Sequence, residues 1–517
     1  MAGGNLMTQV GDMNATSAAE NVTAAEYGDI QAILRSGFGD LEGCSYLLLR
    51  VTEPAIARAW LRRQRPTSVA DLEGGHLDQV LQIAFTAKGL RALGCDEAVL
   101  AGFSVEFLAG MADDPSRSAR LGDIGSNAPQ HWQWGAGESE PHIMVTVIAA
   151  ANRIDVLTQH LATEIAAAGM QQISRLVTSD MKGREPFGFM DGISQPVLDW
   201  KGQYLAAAAS DPAADMAFRN YMAWGEMLLG YRNEYGLFTE RPLLDPTDST
   251  ALLPVAADNP ARRDLGRNGT YLVLRQLSQD VRGFWRWVHQ VAGAGDAVQL
   301  AEAMVGRQRS GEPLAGIEIS DVPGIDGAAR PRNNFTYGRD RDGHHCPFGG
   351  HIRRANPRTG DFPGGRQGLI GKLIATLGLS GTAEDDTIAS TRFHRLMRRG
   401  REYGRWLDPA EAALPEAPDP QSGLHFICLN ANIARQFEFV QGAWLANAKF
   451  AGLSNESDPL LGNREPFPPG QRTDRFTRPS AEGPCRLMQP LPQFVQVRGG
   501  AYFFLPGLRA LSWLTRD

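Results

Sequence analysis

The residues from Gly343 to Arg358 read Gly-His-His-Cys-Pro-Phe-Gly-Gly-His-Ile-Arg-Arg-Ala-Asn-Pro-Arg and hold three of the chain's ten histidines and one of its five cysteines. Pro347 and the Gly349-Gly350 pair make a turn that delivers His351 directly into Ile352-Arg353-Arg354. An imidazole can ligate a metal, and guanidinium groups pair with carboxylates through forked hydrogen bonds. Together they suit a bound metal that carries anionic groups, and haem, with its iron and propionates, has both features. Two plainer readings compete. A Gly/Pro turn with solvated histidines and surface arginines needs no ligand at all. A zinc site built from His344, His345, Cys346 and His351 is the other, but structural zinc sites usually take paired ligands from two arms. No Cys-x-x-Cys occurs here, and Cys44, Cys95, Cys428 and Cys485 are single and far apart.

Three further stretches carry chemistry. Gly183 to Pro196 reads Gly-Arg-Glu-Pro-Phe-Gly-Phe-Met-Asp-Gly-Ile-Ser-Gln-Pro, which sets the ionisable Asp191 between apolar Phe189 and Met190 on one side and Gly192 on the other. An isolated Asp-Gly is ordinarily only a turn. Leu396 to Gly404 reads Leu-Met-Arg-Arg-Gly-Arg-Glu-Tyr-Gly, which by itself is an exposed basic face. Gly423 to Trp444 supplies Leu424, Phe426, Leu429, Phe437, Phe439, Val440 and Trp444 as one wall of a core.

The elements that must hold these stretches are legible in outline. At 517 residues the chain has room for two domains or three. With 43% apolar and 21% charged residues its composition is that of a soluble globular protein. A formal charge of −7 argues against general nucleic-acid binding, which needs a concentrated positive field. Five scattered cysteines form no disulfide framework and read as reduced thiols, so a cytoplasmic location is expected. No export signal is visible at the N-terminus, and the run Ile143 to Ala151 is too short to span a bilayer. Ser45–Val51 and Ile143–Ala150 read as buried strands. Pro54 opens a helix with Ile56, Ala57, Trp60 and Leu61 on one face. His76 to Leu93 alternates between core and solvent, with Gly94 as its stop.

Thr270 to Gln276, Thr-Tyr-Leu-Val-Leu-Arg-Gln, matches Ser45–Val51 at every position but the last by identity or similarity. A helix over Asp280 to Val291 follows, with Phe284, Trp287 and Val288 inward. This recurrence suggests a duplicated α+β unit. Ala206 to Ala217, Leu243 to Asp264 and Pro409 to Ser422 read as connecting or surface segments. Pro363 to Thr387 reads as an inserted loop with a short helix around Leu369 to Leu377, and Ala501 to Leu505 as a final strand.

In combination these stretches resemble the dye-decolourising peroxidase family of haem enzymes. Gly188-Phe189-Met190-Asp191-Gly192 resembles the family's Gly-x-x-Asp-Gly signature. His351-Ile352-Arg353-Arg354-Ala355-Asn356-Pro357-Arg358 resembles the segment that bears its proximal ligand. Arg398-Arg399-Gly400 with Tyr403-Gly404 resembles the segment that bears its distal arginine. The likeness runs from about Asp29 to the end. It implies an α+β fold of two ferredoxin-like halves, each an antiparallel sheet with packed helices, with haem mainly in the second. The expected division is a flexible segment over 1–26, an N-terminal ferredoxin-like domain over 27–230 that ends with the Gly-x-x-Asp-Gly loop, and a C-terminal haem-binding domain over 231–517.

Carried over by residue, the resemblance makes His351 the ligand of the iron in haem b (iron protoporphyrin IX), with Asp191 and Arg398 on its open face. Phe189, Gly192, Ile193, Leu424 and Phe426 would line the cofactor, and Arg353 would meet a propionate. The 47-position interval from His351 to Arg398 is widened by the Pro363–Thr387 insertion, so Arg395 and Arg399 are alternatives to Arg398. The position matched to the usual carboxylate behind the proximal imidazole holds Asn432, with Glu438 as the nearby acid. The implied partners are hydrogen peroxide and a small organic reductant such as a dye or phenol, without nucleic acid or membrane; a homo-oligomer is allowed. Asp191 would carry the peroxide proton and Arg398 would steady the developing charge, with an acidic optimum. A haem- or porphyrin-handling protein without peroxidase turnover is the rival, and a zinc-dependent hydrolase the third reading. Ten Tyr and ten Trp are present, and the sequence singles out none as an electron relay.

Overall fold

The computed structural model describes residues 24–198, 200, 221–293, 295–316, 331–333, 335–358, 391–465 and 472–516. The expected helix around Leu369 to Leu377 and the connecting segment Ala206 to Ala217 lie outside these residues.

Nine strands make one antiparallel sheet. They are β1 (Gly43–Val51), β2 (Gln79–Phe85), β3 (Ile143–Ala149), β4 (Met170–Val177), β5 (Thr270–Gln279), β6 (Met397–Arg398), β7 (Arg401–Tyr403), β8 (Gly423–Asn430) and β9 (Val495–Leu505). Their spatial order is β6-β8-β5-β9-β2-β3-β1-β4, with β7 also on β8. The first four strands run β2-β3-β1-β4, and the second set repeats that order as β6-β8-β5-β9. One sheet therefore contains the same ferredoxin-like arrangement twice, joined where Phe504 of β9 faces Phe85 of β2. The two similar sequence stretches, Ser45–Val51 and Thr270–Gln276, fall on β1 and β5, the opening strand of each half.

The central strands are buried on both faces, and alternate residues feed two separate cores. Leu47, Leu49, Ile83, Val145, Tyr271 and Val273 face one layer, while Tyr46, Leu48, Ala84, Met144, Leu272 and Leu274 face the other. Helices α1 (Pro54–Arg63), α2 (Ile154–Ala167), α3 (Val281–Ala292) and α4 (Ala297–Val305) all pack on the first layer. The second is closed by a 3-10 turn over Ala32–Leu34 with Ile30 beside it and by the segment around Met227–Tyr231.

Some expectations need correction. In α1, Ala57, Trp60 and Leu61 are buried, but Ile56 is exposed. In α3 the buried indole is Trp285; Trp287 is half-buried and donates to Pro490 O at 2.9 Å. Pro409 to Ser422 is not simply a surface excursion, because Pro409, Ala412 and Ala417 are buried against the helical layer. The segment 1–26 is not loose throughout. A helical turn covers Ala24–Tyr27, and Glu26 receives hydrogen bonds from Tyr231 Oη (2.9 Å) and Arg267 Nε (2.9 Å).

Candidate functional site

A cavity of about 280 Å³ opens on the helical face of the sheet's second half, with Leu277, Leu424, Phe426, Val495 and Val497 of β5, β8 and β9 on its floor. Leu277 lies opposite Leu424 in the ladder, so both side chains point to the same face. The opposite wall comes from α5 (His351–Ala355), two successive π-helical segments (Ala434–Glu438 and Val440–Leu445) and Leu460-Leu461.

His351 is the first residue of α5, entered through Gly349 and Gly350. A Cβ on Gly349 would stand 2.1 Å from Glu456 Oε1, so any larger residue there would have to displace the end of that side chain. His351 Nδ1 lies 2.9 Å from Asp458 Oδ2. Asp458 is fully buried, and its Oδ1 accepts from Leu460 N (2.9 Å) and Leu461 N (2.8 Å). Burial opposes charge on Asp458, but His351 and these N–H groups outweigh it and hold the carboxyl below its ordinary range. An ionised carboxylate only accepts hydrogen bonds, so Nδ1 is the donor and Nε2 is left for the cavity. Burial likewise disfavours charge on His351, and Asp458 reverses that effect and raises its pKa.

Asp191 faces the cavity from a tight loop. Glu185 accepts from Phe187 N (3.0 Å), Phe189 N (2.9 Å) and Gln279 Nε2 (2.9 Å), which ties the loop to β5. Arg184 Nη1 closes the loop on Gly188 O at 2.9 Å, and Gly188 takes φ +102°. Arg398, on β6, donates from Nη1 to Asp191 Oδ1 at 2.8 Å, and its backbone N donates to Gln195 Oε1 at 2.9 Å. The two side chains keep 31% and 32% exposure, and both line the cavity. Desolvation pushes Asp191 up, but Arg398 and the Gly192 N–H prevail and hold it below the usual carboxylate range. Glu185, on the same lining, is pushed up to about 7 by burial.

The structure therefore brings His351, Asp191, Arg398, Phe189, Ile193, Leu424 and Phe426 to one cavity. Two expected residues do not reach it. Gly192 is an exposed turn residue outside the lining. Arg353 is turned away: Nη1 donates to Cys346 O (2.6 Å) and Asp340 Oδ2 (3.2 Å), and the guanidinium stacks on Tyr337 and Phe348. Arg399 donates to Ile33 O and Leu34 O outside the cavity, whereas Arg395 is on the lining.

Neither residue expected to support His351 does so. Asn432 Oδ1 accepts from Arg435 N at 2.8 Å, and Glu438 pairs with Arg117 and Tyr502. The supporting acid is Asp458, which sequence reading missed because Asp-Pro-Leu-Leu looks like a helix-capping turn, and its Oδ1 does cap two backbone N–H groups. Cys346, the thiol of the zinc reading, is fully buried, and burial pushes it up to about 12. No group of three or more His, Cys, Asp or Glu side chains among the described residues is placed to hold a metal ion without a further ligand.

No family model matches the chain. It is 26% identical over 513 residues to the multifunctional dye peroxidase DyP2 of Amycolatopsis sp., covering 96% of this chain and 94% of that one. It is 28% identical over 455 residues to the dye-decolorizing peroxidase AauDyP1 of Auricularia auricula-judae, covering 84% and 75%. The solved DyP-type peroxidase from Anabaena sp. superposes with a TM-score of 0.68 at 21% identity, covering 95% of each chain. The chain is a relative of the dye-decolourising peroxidases. Its two-half α+β sheet is the fold of the solved members. No helix among the described residues is long and apolar enough to cross a membrane.

Proposed function

We propose that the protein is a haem b peroxidase that uses hydrogen peroxide to oxidise small organic donors, such as dyes and phenols, in one-electron steps. One observation carries this reading: an imidazole backed by a buried carboxylate faces a carboxylate–guanidinium pair across a single apolar cavity. The residues fit the cofactor. Nε2 of His351 is the free donor for iron, and Phe189, Ile193, Leu424, Phe426, Val440 and Leu461 offer apolar surface for a porphyrin. Arg307 and Arg395 bring guanidinium groups to the same lining for its carboxylates.

Bound there, haem would supply the redox chemistry, taking oxidising equivalents from peroxide and drawing single electrons from donors. The chain's own residues would manage protons and charge. Asp191 would take a proton from one oxygen of peroxide and return it to the other as the O–O bond breaks. Arg398 holds the Asp191 carboxylate in place and offers positive charge where negative charge develops along the O–O bond. His351, held by Asp458, would ligate the iron.

The visible spectrum of the purified protein, supplied with haem and then with one equivalent of peroxide, tests this. A Soret band that shifts on peroxide addition is expected. A Soret band that stays unchanged would replace catalysis with haem carriage. No Soret band would remove the haem reading altogether.

A further inference from the structure

Behind His351, two buried guanidinium groups grip backbone rather than acids. Arg354 is fully buried and donates from Nη1 to Trp444 O (2.9 Å) and Asn447 O (3.0 Å) and from Nη2 to Glu456 O (2.6 Å). Arg464, 6% exposed, donates from Nη1 to Asp458 O (3.0 Å) and Ser457 Oγ (3.1 Å), from Nη2 to Pro459 O (2.7 Å), and from Nε to Pro492 O (3.1 Å). Their forks therefore hold the chain on both sides of the Asp458 side chain. Arg354 also stands three positions after His351, so one short helix presents the imidazole and grips the segment that carries its acceptor.

Among the described residues neither guanidinium makes a direct ion pair, which is costly at this depth; Glu456 acts on both through space, and Asp474 on Arg464 as well. Burial depresses both guanidinium pKa values, that of Arg464 to about 10, and the negative charge of Asp458 opposes the depression in each. Asp458 thus answers to three positive neighbours: the His351 Nδ1–H directly, and the two guanidiniums through space. A carboxylate whose charge is shared in this way is a weaker acceptor for Nδ1–H, and the imidazole it supports is a weaker electron donor.

We infer that Arg354 and Arg464 are positioning residues that fix Asp458 and temper its pull on His351, and so set how strongly His351 donates to a bound iron. This rests on the haem reading above. A purely structural role predicts the opposite sign. If the arginines only held the loop, their loss would loosen the Asp458–His351 bond, weaken donation and favour ferrous iron. If their charge tempers Asp458, its loss strengthens donation and favours ferric iron.

The test is a spectroelectrochemical titration of the haem-loaded wild type beside Arg464→Gln, which keeps a carbonyl-directed donor but no charge, and Arg464→Lys, which keeps the charge. Arg464→Gln is expected to shift the midpoint to lower potential. The ferric-to-ferrous ratio at fixed potential should rise by roughly tenfold. The ferrous iron–histidine stretching band should move to higher frequency, and Arg464→Lys should restore both readouts. An unchanged or higher midpoint in Arg464→Gln overturns the inference. Should Arg464→Gln not fold, Arg354→Gln carries the same test with the same signs. A wild type without a Soret band overturns the haem reading itself, which separates the two failures.

Discussion

The two polar pairs that face each other across the cavity are built to different standards of rigidity. On one side Asp458 is fully buried, and both of its oxygens are occupied, one by His351 and the other by two backbone N–H groups. On the other side Asp191 and Arg398 each keep about a third of their surface open to the cavity. A group that must hold a cofactor gains from having no freedom, and a group that must pass a proton needs access to the reacting atom. The contrast assigns holding to one wall and reacting to the other, and the two roles should separate under mutation.

The largest effect belongs to the holding wall. His351→Ala should abolish haem retention, read as loss of the Soret band after gel filtration of the loaded protein. If the band survives with an unchanged spectrum, the holding role lies elsewhere. On the reacting wall, Asp191→Asn should keep the Soret band but slow the reaction with peroxide by about a hundredfold to ten-thousandfold, the usual worth of positioned acid–base catalysis. Arg398→Leu should slow it by about a hundredfold or more. Stopped-flow spectra would measure both, and retention of the wild-type rate by either variant would strip that residue of its role.

The pH profile sharpens the same contrast. Asp191 lies below the usual carboxylate value of about 3.9, so it stays ionised, and competent as a base, until the pH falls through that lowered value. Glu185 and Glu402, both pushed up to about 7 by burial, interact electrostatically with Asp191, while Arg398 and His351 act on it with the opposite sign. Below pH 7 the two glutamates are neutral; above it they ionise and surround Asp191 with like charge. That negative charge opposes the charge that develops along the O–O bond, so the peroxide rate should hold in acid and decline as the pH rises above about 7. A rate that climbs through neutrality would contradict this.

The fold was legible because its signals are local and repeated. β1 and β5 carry nearly the same run of apolar residues, and each opens a half in which strand order recurs. That His351, Asp191 and Arg398 share one cavity was foreshadowed for a related reason: each sits in a short stretch whose glycines and neighbours are unusual on their own. Asp458 was not, because its importance comes from a contact with a residue 107 positions away and its local pattern is that of a cap. Arg353 and Arg354 could not be told apart in sequence either. Adjacent positions on α5 send one to Asp340 and the other to the backbone around Asp458.

A finer repeat escaped the sequence reading, and it offers the most discriminating small perturbation. Arg184, Arg232 and Arg307 each donate from Nη1 to the carbonyl of the glycine four positions on, at 2.9, 2.7 and 2.7 Å. Each arginine pairs through a bridge with the residue six positions on, and each glycine has positive φ. The loops are built alike, yet only the first runs into an acid, Asp191; Thr239 and Leu314 occupy the corresponding places. Arg184 Nη1 also donates to Arg309 O at 3.0 Å and so locks the first loop to the third. Arg184→Met should therefore misplace Asp191 and slow the peroxide reaction by roughly tenfold, since small displacements of a reacting group are costly. Arg232→Met removes the same internal bond from a loop outside the cavity and should leave that rate unchanged. Equal effects from the two substitutions would mean that Asp191 is held by its ion pair with Arg398 alone and owes nothing to the loop.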